Sequence, residues 1–320
     1  MTPPRTPRTP RTVLTTSAAV LALLLTGCSQ SGGDTAAAGK EPEIGTVPVL
    51  LESRNLTFPV DAYFSDHRQQ ELLTKAQDVL VDQCMQRFGF RYQVQRKSSG
   101  ATPPQQDNSR RYGISDPAEA AQRGYASPRD DEAFQKPPQP ERGPNERLVL
   151  QGLEVAASAR IPMNQEEAEA SDVATTVVAG QKVPAGGCMR EAYLKLFSPT
   201  KNTVDPKSFE IGHERAEQDS RVVKVIKEWS ACMAEHGYED DSPMGRPPGI
   251  DPAKSNGPEA IAIAKQDVEC KRKTNLVGIR YTVELAYQKR GIEKNAEGLN
   301  LAKQQLDARM KLAASLVSGS

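Results

Sequence analysis

Residues 214–238 read ERAEQDSRVVKVIKEWSACMAEHGY. Val222, Val225, Ile226, Trp229 and Cys232 recur at the three- and four-residue spacing of one helical face, and Gly237 supplies a stop. The pattern predicts one helix from about Glu214 to His236. Its end, Cys232-Met233-Ala234-Glu235-His236-Gly237-Tyr238, has an echo upstream in Cys84-Met85-Gln86-Arg87-Phe88-Gly89-Phe90. Both copies share Cys-Met, three residues, Gly and an aromatic ring, with Val81 or Trp229 one turn before the cysteine. Each is followed by one more cysteine in a helical pattern, Cys188 or Cys270. We read this as a degenerate duplication with halves at 57–200 and 205–320.

Outward from these ends the chain is helical by periodicity. Leu73, Ala76, Leu80 and Cys84 predict a helix over 65–88, with Ser65 as N-cap, Gly89 as the C′ residue and Phe90 at the Schellman contact position. A short helix is expected at Asp116–Arg123, with Pro117 in its first turn and Gly124 after its end. Another starts near Gly187 and stops before Pro199. Pro258 opens a helix with the stripe Ile261, Ala264, Val268, Ile279, Val283 and Ala286. A last helix carries Ile292, Leu299, Leu306 and Ala313 at seven-residue intervals, joined by Ala296, Ala302 and Met310. The two most simply pack as an antiparallel hairpin, a natural surface for a partner. Residues 101–146 hold eight prolines and few large aliphatics, so a long Pro-rich loop is expected there. Leu148–Leu150 and Thr175–Val178 suggest at most a small β-hairpin. The fold class is therefore mainly α: helical hairpins stapled by disulfides.

Composition narrows the functional classes. The chain of 320 residues carries 41 Lys+Arg against 41 Asp+Glu, with 5% aromatic residues. Zero net charge argues against a nucleic-acid partner, whose recognition needs a basic surplus. Repeated apolar runs of roughly 20 residues, the mark of a polytopic membrane protein, are missing.

The N-terminus speaks to location. Arg5, Arg8 and Arg11 precede an apolar stretch from Val13 to Leu25 that ends Leu25-Thr26-Gly27-Cys28. A basic region, a short apolar core and small residues at the exit make an export signal over 1–27. As a helix the apolar core rises roughly 20 Å, short of a hydrocarbon thickness of ~30 Å. Leu25, Thr26, Gly27 and Cys28 resemble the lipobox of bacterial lipoproteins, and the resemblance implies that the Cys28 thiol receives diacylglycerol, with palmitate-like chains, before cleavage. Acyl chains contribute ~0.8 kcal/mol per buried methylene, so two or more hold a protein stably on a membrane. The expected location is the extracytoplasmic face of the cell membrane. No adjacent arginine pair precedes the core, which favours the general secretory route with folding after export. Residues 28–56 then read as the lipidated cysteine and a flexible tether, with nothing expected to pack up to Val47.

With Cys28 lipidated, four cysteines remain in an oxidising place, so two disulfides are expected. Four cysteines allow three pairings. The duplication favours Cys84 with Cys188 and Cys232 with Cys270. The competing reading is a metal site or redox pair, but no two cysteines stand at CxxC spacing.

Chemistry is harder to find. His67, His213 and His236 lie in no HExxH motif, and no GxSxG elbow is present. His213-Glu214 and Glu235-His236 fall at predicted helix ends, where an exposed histidine is ordinary. The acidic runs 130–132 and 166–169 read as solvated faces. Trp229 and Tyr238 flank Cys232 and could line a ligand or partner groove, against the simpler reading that they pack on the disulfide. No motif calls for a cofactor or a metal. The whole chain is similar in style to actinobacterial-type, Gram-positive membrane lipoproteins without an assigned activity, through its CMxxxG(F/Y) helix ends, a PAGGC stretch at 184–188 and an AxxDxxC stretch at 264–270. That resemblance implies a compartment and a helical, disulfide-stapled fold. The expected role is non-catalytic binding or scaffolding at the envelope, for a protein or cell-wall partner, as an accessory to an export or cell-wall complex. The alternative is an envelope-polymer hydrolase with a carboxylate pair that spacing does not reveal.

Overall fold

The computed structural model describes residues 40–94, 108–127, 139–152, 161–170 and 174–319. Residues 1–39, where the export signal and the lipobox with Cys28 are expected, lie outside the described residues. In chain order the described α-helices and strands are α1 (His67–Gln86), α2 (Pro117–Arg123), α3 (Pro144–Gln151), α4 (Gln165–Glu169), β1 (Ala174–Val178), β2 (Gln181–Pro184), α5 (Gly187–Phe197), α6 (His213–Glu217), α7 (Ser220–Glu235), α8 (Pro258–Thr274), α9 (Leu276–Lys294) and α10 (Ala296–Ser318). The fold is mainly α, with one two-stranded sheet among the described residues. No helix of the described residues is long and apolar enough to cross a membrane.

The repeated CMxxxG(F/Y) motif has one physical meaning in both places. At the end of α1, Phe90 N donates to Met85 O at 3.1 Å and Gly89 N to Gln86 O at 3.0 Å. At the end of α7, Tyr238 N donates to Met233 O at 3.1 Å and Gly237 N to Ala234 O at 3.0 Å. These are paired Schellman closures, with Gly89 at φ +80° and Gly237 at φ +84°, where only glycine is unstrained. Met85 and Met233 accept the longer bond and are fully buried, and the aromatic ring after each glycine packs on the same core as its methionine. The cysteine before each methionine therefore faces inward. Cys84 joins Cys188 and Cys232 joins Cys270, with Cα–Cα separations of 5.5 and 5.7 Å. The likeness stops there, because Cys188 lies at the start of α5 and Cys270 near the end of α8.

Helix ends depart from the apolar stripes where a polar residue captures the backbone. Asp66, not Ser65, caps α1 in a reciprocal box with Gln69. The single helix expected over 214–236 is two, because Asp219 accepts from Arg221 N at 3.0 Å and starts α7 afresh. The stripe from Ile261 to Ala286 is likewise divided at Asn275, which adopts φ +54° between α8 and α9. Ile292 belongs to α9, and the seven-residue repeat resumes in α10 after a break at Asn295. Leu148–Leu150 is not a strand: Pro144 opens α3 and Gly152 closes it. The hairpin forms instead between β1 and β2, with Ala179 and Gly180 both at positive φ in the turn. Asp116, Pro117 and Gly124 frame α2 as the sequence predicts.

Packing corrects two further expectations. The C-terminal hairpin does not close on itself. α10 runs mainly against α1, with Leu73, Ala76, Leu196 and Ala313 in one buried cluster. The Leu299, Leu306 and Ala313 side of α10 is buried in the protein's own core. The supposed tether is docked from Glu41 onward. Glu41 accepts from Ser220 N at 2.6 Å and Ser220 Oγ at 2.8 Å, Arg221 donates to Pro42 O at 3.0 Å, and Pro42 is buried. Asn275 holds the next stretch, taking Leu50 N at 3.1 Å and giving to Pro48 O at 3.0 Å. A small-residue composition signals low hydrophobic drive, but it does not register backbone partners supplied from far along the chain.

The described residues from Glu41 onward form one compact unit. Segment 108–127, part of the Pro-rich stretch, is mostly irregular yet deeply placed. Tyr112, Ile114 and Ala120 lie in one core with Trp229, Met233 and Val268, so the two halves share an interior. A second core surrounds the Cys84–Cys188 bridge, with Val81, Val149 and Val183. There the PAGGC stretch lets α3 and α5 nearly touch, since a Cβ on Gly187 would fall 2.5 Å from Leu150 O.

Candidate functional site

Two buried carboxylates, each ringed by donors, organise the polar interior. The first is Asp267, the acid of the AxxDxxC stretch. It accepts from Trp229 Nε1 at 2.8 Å, Tyr125 OH at 3.2 Å and Lys271 Nζ at 3.0 Å. Lys271 also donates to Ile114 O at 2.9 Å and Pro243 O at 2.8 Å, which uses all three protons of an ammonium. The side chain of Lys271 is 0% exposed and that of Asp267 2%. Burial pushes the Asp267 carboxyl up and the Lys271 amine down, while their mutual attraction opposes both shifts. This cluster has no opening, and its work is to tie 108–127 and the 243 region to α7 and α8.

Trp229 is accordingly fully buried, and Tyr238 is half-buried against the same core. Both pack around the disulfide, Trp229 with no surface left to offer a ligand and Tyr238 with part of its ring exposed. Donor atoms of Cys232, His236 and Cys270 lie within 4.8 Å of one another, but the sulfurs are bonded together and His236 Nδ1 sits 2.8 Å from Cys232 O. The trio is a helix end, not a set of thiolate ligands. His67 opens α1 on the surface, 3.4 Å from Glu71.

The second carboxylate is Glu284 on α9, also 2% exposed. It takes Tyr112 OH at 2.7 Å, His213 Nδ1 at 3.1 Å and Gln288 Nε2 at 2.9 Å, and Arg111 bonds it through both Nε and a terminal nitrogen. Burial alone would raise this carboxyl. The hydrogen bonds from His213, Arg111 and Tyr112, with the Arg111 charge, overcome it and hold Glu284 at about 2. Tyr112 is driven upward by burial and by that negative charge, so it stays a donor. Arg111 also lies over the Phe58 ring, 4.7 Å from its centroid.

Unlike the first cluster, this one opens outward. Arg111 is 28% exposed and His213 49% exposed, and both line a cleft of about 490 Å³. Its other walls come from Val60, Lys207–Glu214 and Gln288. The segment before α6 is pinned in place: Asn295 donates to Glu210 O at 3.2 Å, and Phe209 lies so close to α10 that a Cβ on Gly298 would meet its ring at 2.3 Å. With Nδ1 given to the carboxylate, His213 keeps Nε2 without a partner among the described residues.

No protein-family model, curated protein or solved structure matches this chain. Sequence reading places His213 at a helix end, correctly, but not beside a buried acid. Arg111, Tyr112, Glu284 and Gln288 carry no motif, since they meet only through segments 71 to 173 residues apart. The one local trace is the Glu284–Gln288 pair at helical spacing.

Proposed function

We propose that the chain is an exported lipoprotein, acylated at Cys28, that sits on the extracytoplasmic face of the cell membrane. There it binds a ligand or partner of the envelope without chemical turnover. The Leu25-Thr26-Gly27-Cys28 exit and the two buried disulfides support the compartment. The cleft beside Glu284, rather than the C-terminal helices, is the recognition surface.

One observation carries the preference for binding over hydrolysis. A glycosidic or related cleavage by paired carboxylates needs one of them held protonated as a general acid. The buried carboxylate at this cleft is held ionised at about 2 and saturated by Arg111, His213, Tyr112 and Gln288. Glu284 can position Arg111 and His213 but has no proton to give, and the other acids of the cleft, Glu210 and Glu214, stand exposed at its rim. Such a site orients donors toward a bound group, which is what recognition requires.

Intact-mass measurement of the protein from its native membrane tests the anchoring, with Cys28→Ser as control. An N-terminus bearing acyl mass, lost together with membrane retention in the variant, is expected. An unacylated native N-terminus would overturn the location. Crosslinking in intact cells, read by mass spectrometry, is expected to map adducts to residues 207–214. Turnover of an envelope polymer that disappears in Glu284→Gln would overturn the non-catalytic reading.

A further inference from the structure

The rim of the Glu284 cleft holds charges of both signs that do not pair. Lys207, Glu210 and Glu214 all line it, and none makes a side-chain bond to another described residue. Elsewhere in the molecule opposite charges at helical spacing do find each other, as in Glu191–Lys195 at 2.6 Å, Lys303–Asp307 at 3.6 Å and Lys224–Glu228 at 3.7 Å. The backbone that carries them is fixed by Asn295 and by the contact of Phe209 with α10, and all three line the cavity. His213 adds its open ring nitrogen, and Arg111 stands behind it with its charge largely spent on Glu284.

An anion alone entering this space would meet Glu210 and Glu214. A cation alone would meet Lys207 and Arg111. A ligand carrying both signs satisfies both sets, and the apolar side chains of Val60, Phe209 and Ile211 offer contact to the body between. The volume of about 490 Å³ lies in the range of small-ligand sites, room for a short peptide and not for a folded chain.

We infer that the cleft binds short zwitterionic peptides, with a carboxylate against Lys207 and His213 and an amine against Glu210 and Glu214. This rests on the binding reading of the same site and names its ligand class. The Glu284 cluster serves as the fixed base that orients His213 and keeps Arg111 from swinging into the ligand's place. Preorganisation of this kind lowers the ordering cost of binding.

The test is calorimetric titration of the full-length protein in mild detergent with the dipeptide lysyl-alanine. Parallel titrations use its C-terminal amide and inorganic phosphate. Saturable one-to-one binding of the dipeptide is expected, weakened about tenfold or more by amidation, as loss of one charge-assisted contact predicts. Lys207→Ala and the pair Glu210→Gln/Glu214→Gln should each weaken it to a similar degree. These side chains have no described structural partner, and an unchanged Trp229 emission spectrum verifies the fold. Absence of saturable heat, equal binding of the amide, preference for phosphate, or indifference to both variants would each overturn the assignment. The acylation and crosslinking measurements are independent of this outcome. A cleft that ignores peptides yet still crosslinks through 207–214 would end the ligand assignment and leave envelope binding standing.

Discussion

Replacing Glu284 by glutamine removes one charge and little volume, and its cost can be worked from the hub itself. Glu284 falls from an ordinary 4.5 to about 2 in the folded protein. At ~1.36 kcal/mol per unit, the ionised form contributes roughly 3 kcal/mol of stability at neutral pH. The group is 1% exposed, so solvent screening takes little from that figure. A glutamine keeps one oxygen for Tyr112 or Arg111 but turns an amide NH2 toward donors. Arg111 is partly exposed and can rehydrate, which keeps the loss near 3 kcal/mol, at the lower end of what breaking a sealed pair costs. Trp229 is the sole tryptophan and is fully buried, so its emission reports global unfolding in urea. Glu284→Gln should lower the midpoint without changing the slope. The pH dependence follows from the direction of the shift. A depressed folded-state value means the stabilisation is complete above about 4.5 and is lost as pH falls through about 2. Wild type and variant should therefore converge across that acid window. A loss below about 1 kcal/mol at neutral pH, or a gap between the two proteins that persists to pH 2, would refute the idea that Glu284 is held ionised by its donors.

Other expectations follow from the same structure. The Cys84–Cys188 bridge spans 104 residues and Cys232–Cys270 spans 38, so removing each by paired alanines should cost about 5 and about 4 kcal/mol in urea unfolding; a larger loss for the shorter loop would contradict the chain-entropy account. Gly89→Ala and Gly237→Ala meet no atom within 4 Å, so each should lose only the left-handed backbone penalty of about 1–2 kcal/mol, and thermal melts of the two variants should agree. Asp267→Asn strands the buried Lys271 ammonium and should cost about 3–5 kcal/mol. Adding Lys271→Met should cost less than the two single changes summed, and strict additivity in this cycle would mean the pair is not coupled.

What could be read from sequence was what local hydrogen bonding determines. The CMxxxG(F/Y) ends, the Asp116-Pro117 start and Gly124 stop of α2, and the cysteine pairing all depend on a few neighbouring residues or on a repeated helix end. Breaks at Asp219, Asn275 and Asn295 were hidden because the apolar stripe passes through them with little loss of phase, and a cap is a side-chain decision that hydrophobic period does not encode. Leu148–Leu150 looked like a strand because three apolar residues suit either element, and the proline at 144 with the glycine at 152 decides the matter. The docking of 41–50 and the choice of α1 as the partner of α10 depend on contacts more than 170 residues apart in sequence, where periodicity has no reach. The cleft was illegible for the same reason: its histidine, arginine and buried acid come from three separate stretches, none with unusual composition.

The two carboxylate clusters show why burial by itself does not mark function. Asp267 and Glu284 are equally hidden, each touches a tyrosine and a cation, and each joins segment 110–125 to the later helices. The difference lies in where their partners stand. Lys271 points inward and gives every proton to an acceptor in the core, so nothing outside can compete for it. Arg111 and His213 reach the same kind of acid from the wall of a cavity, and part of each side chain remains in contact with solvent. A buried acid whose partners are also buried can only cross-brace the fold. One whose partners are exposed fixes their orientation toward whatever enters, and that second arrangement has a use beyond stability. In a chain with 5% aromatic residues, such polar hubs do much of the bracing that ring packing supplies elsewhere. The asymmetry in exposure, not the charge or the depth, sets Glu284 apart from Asp267, and the cleft its partners line marks it further.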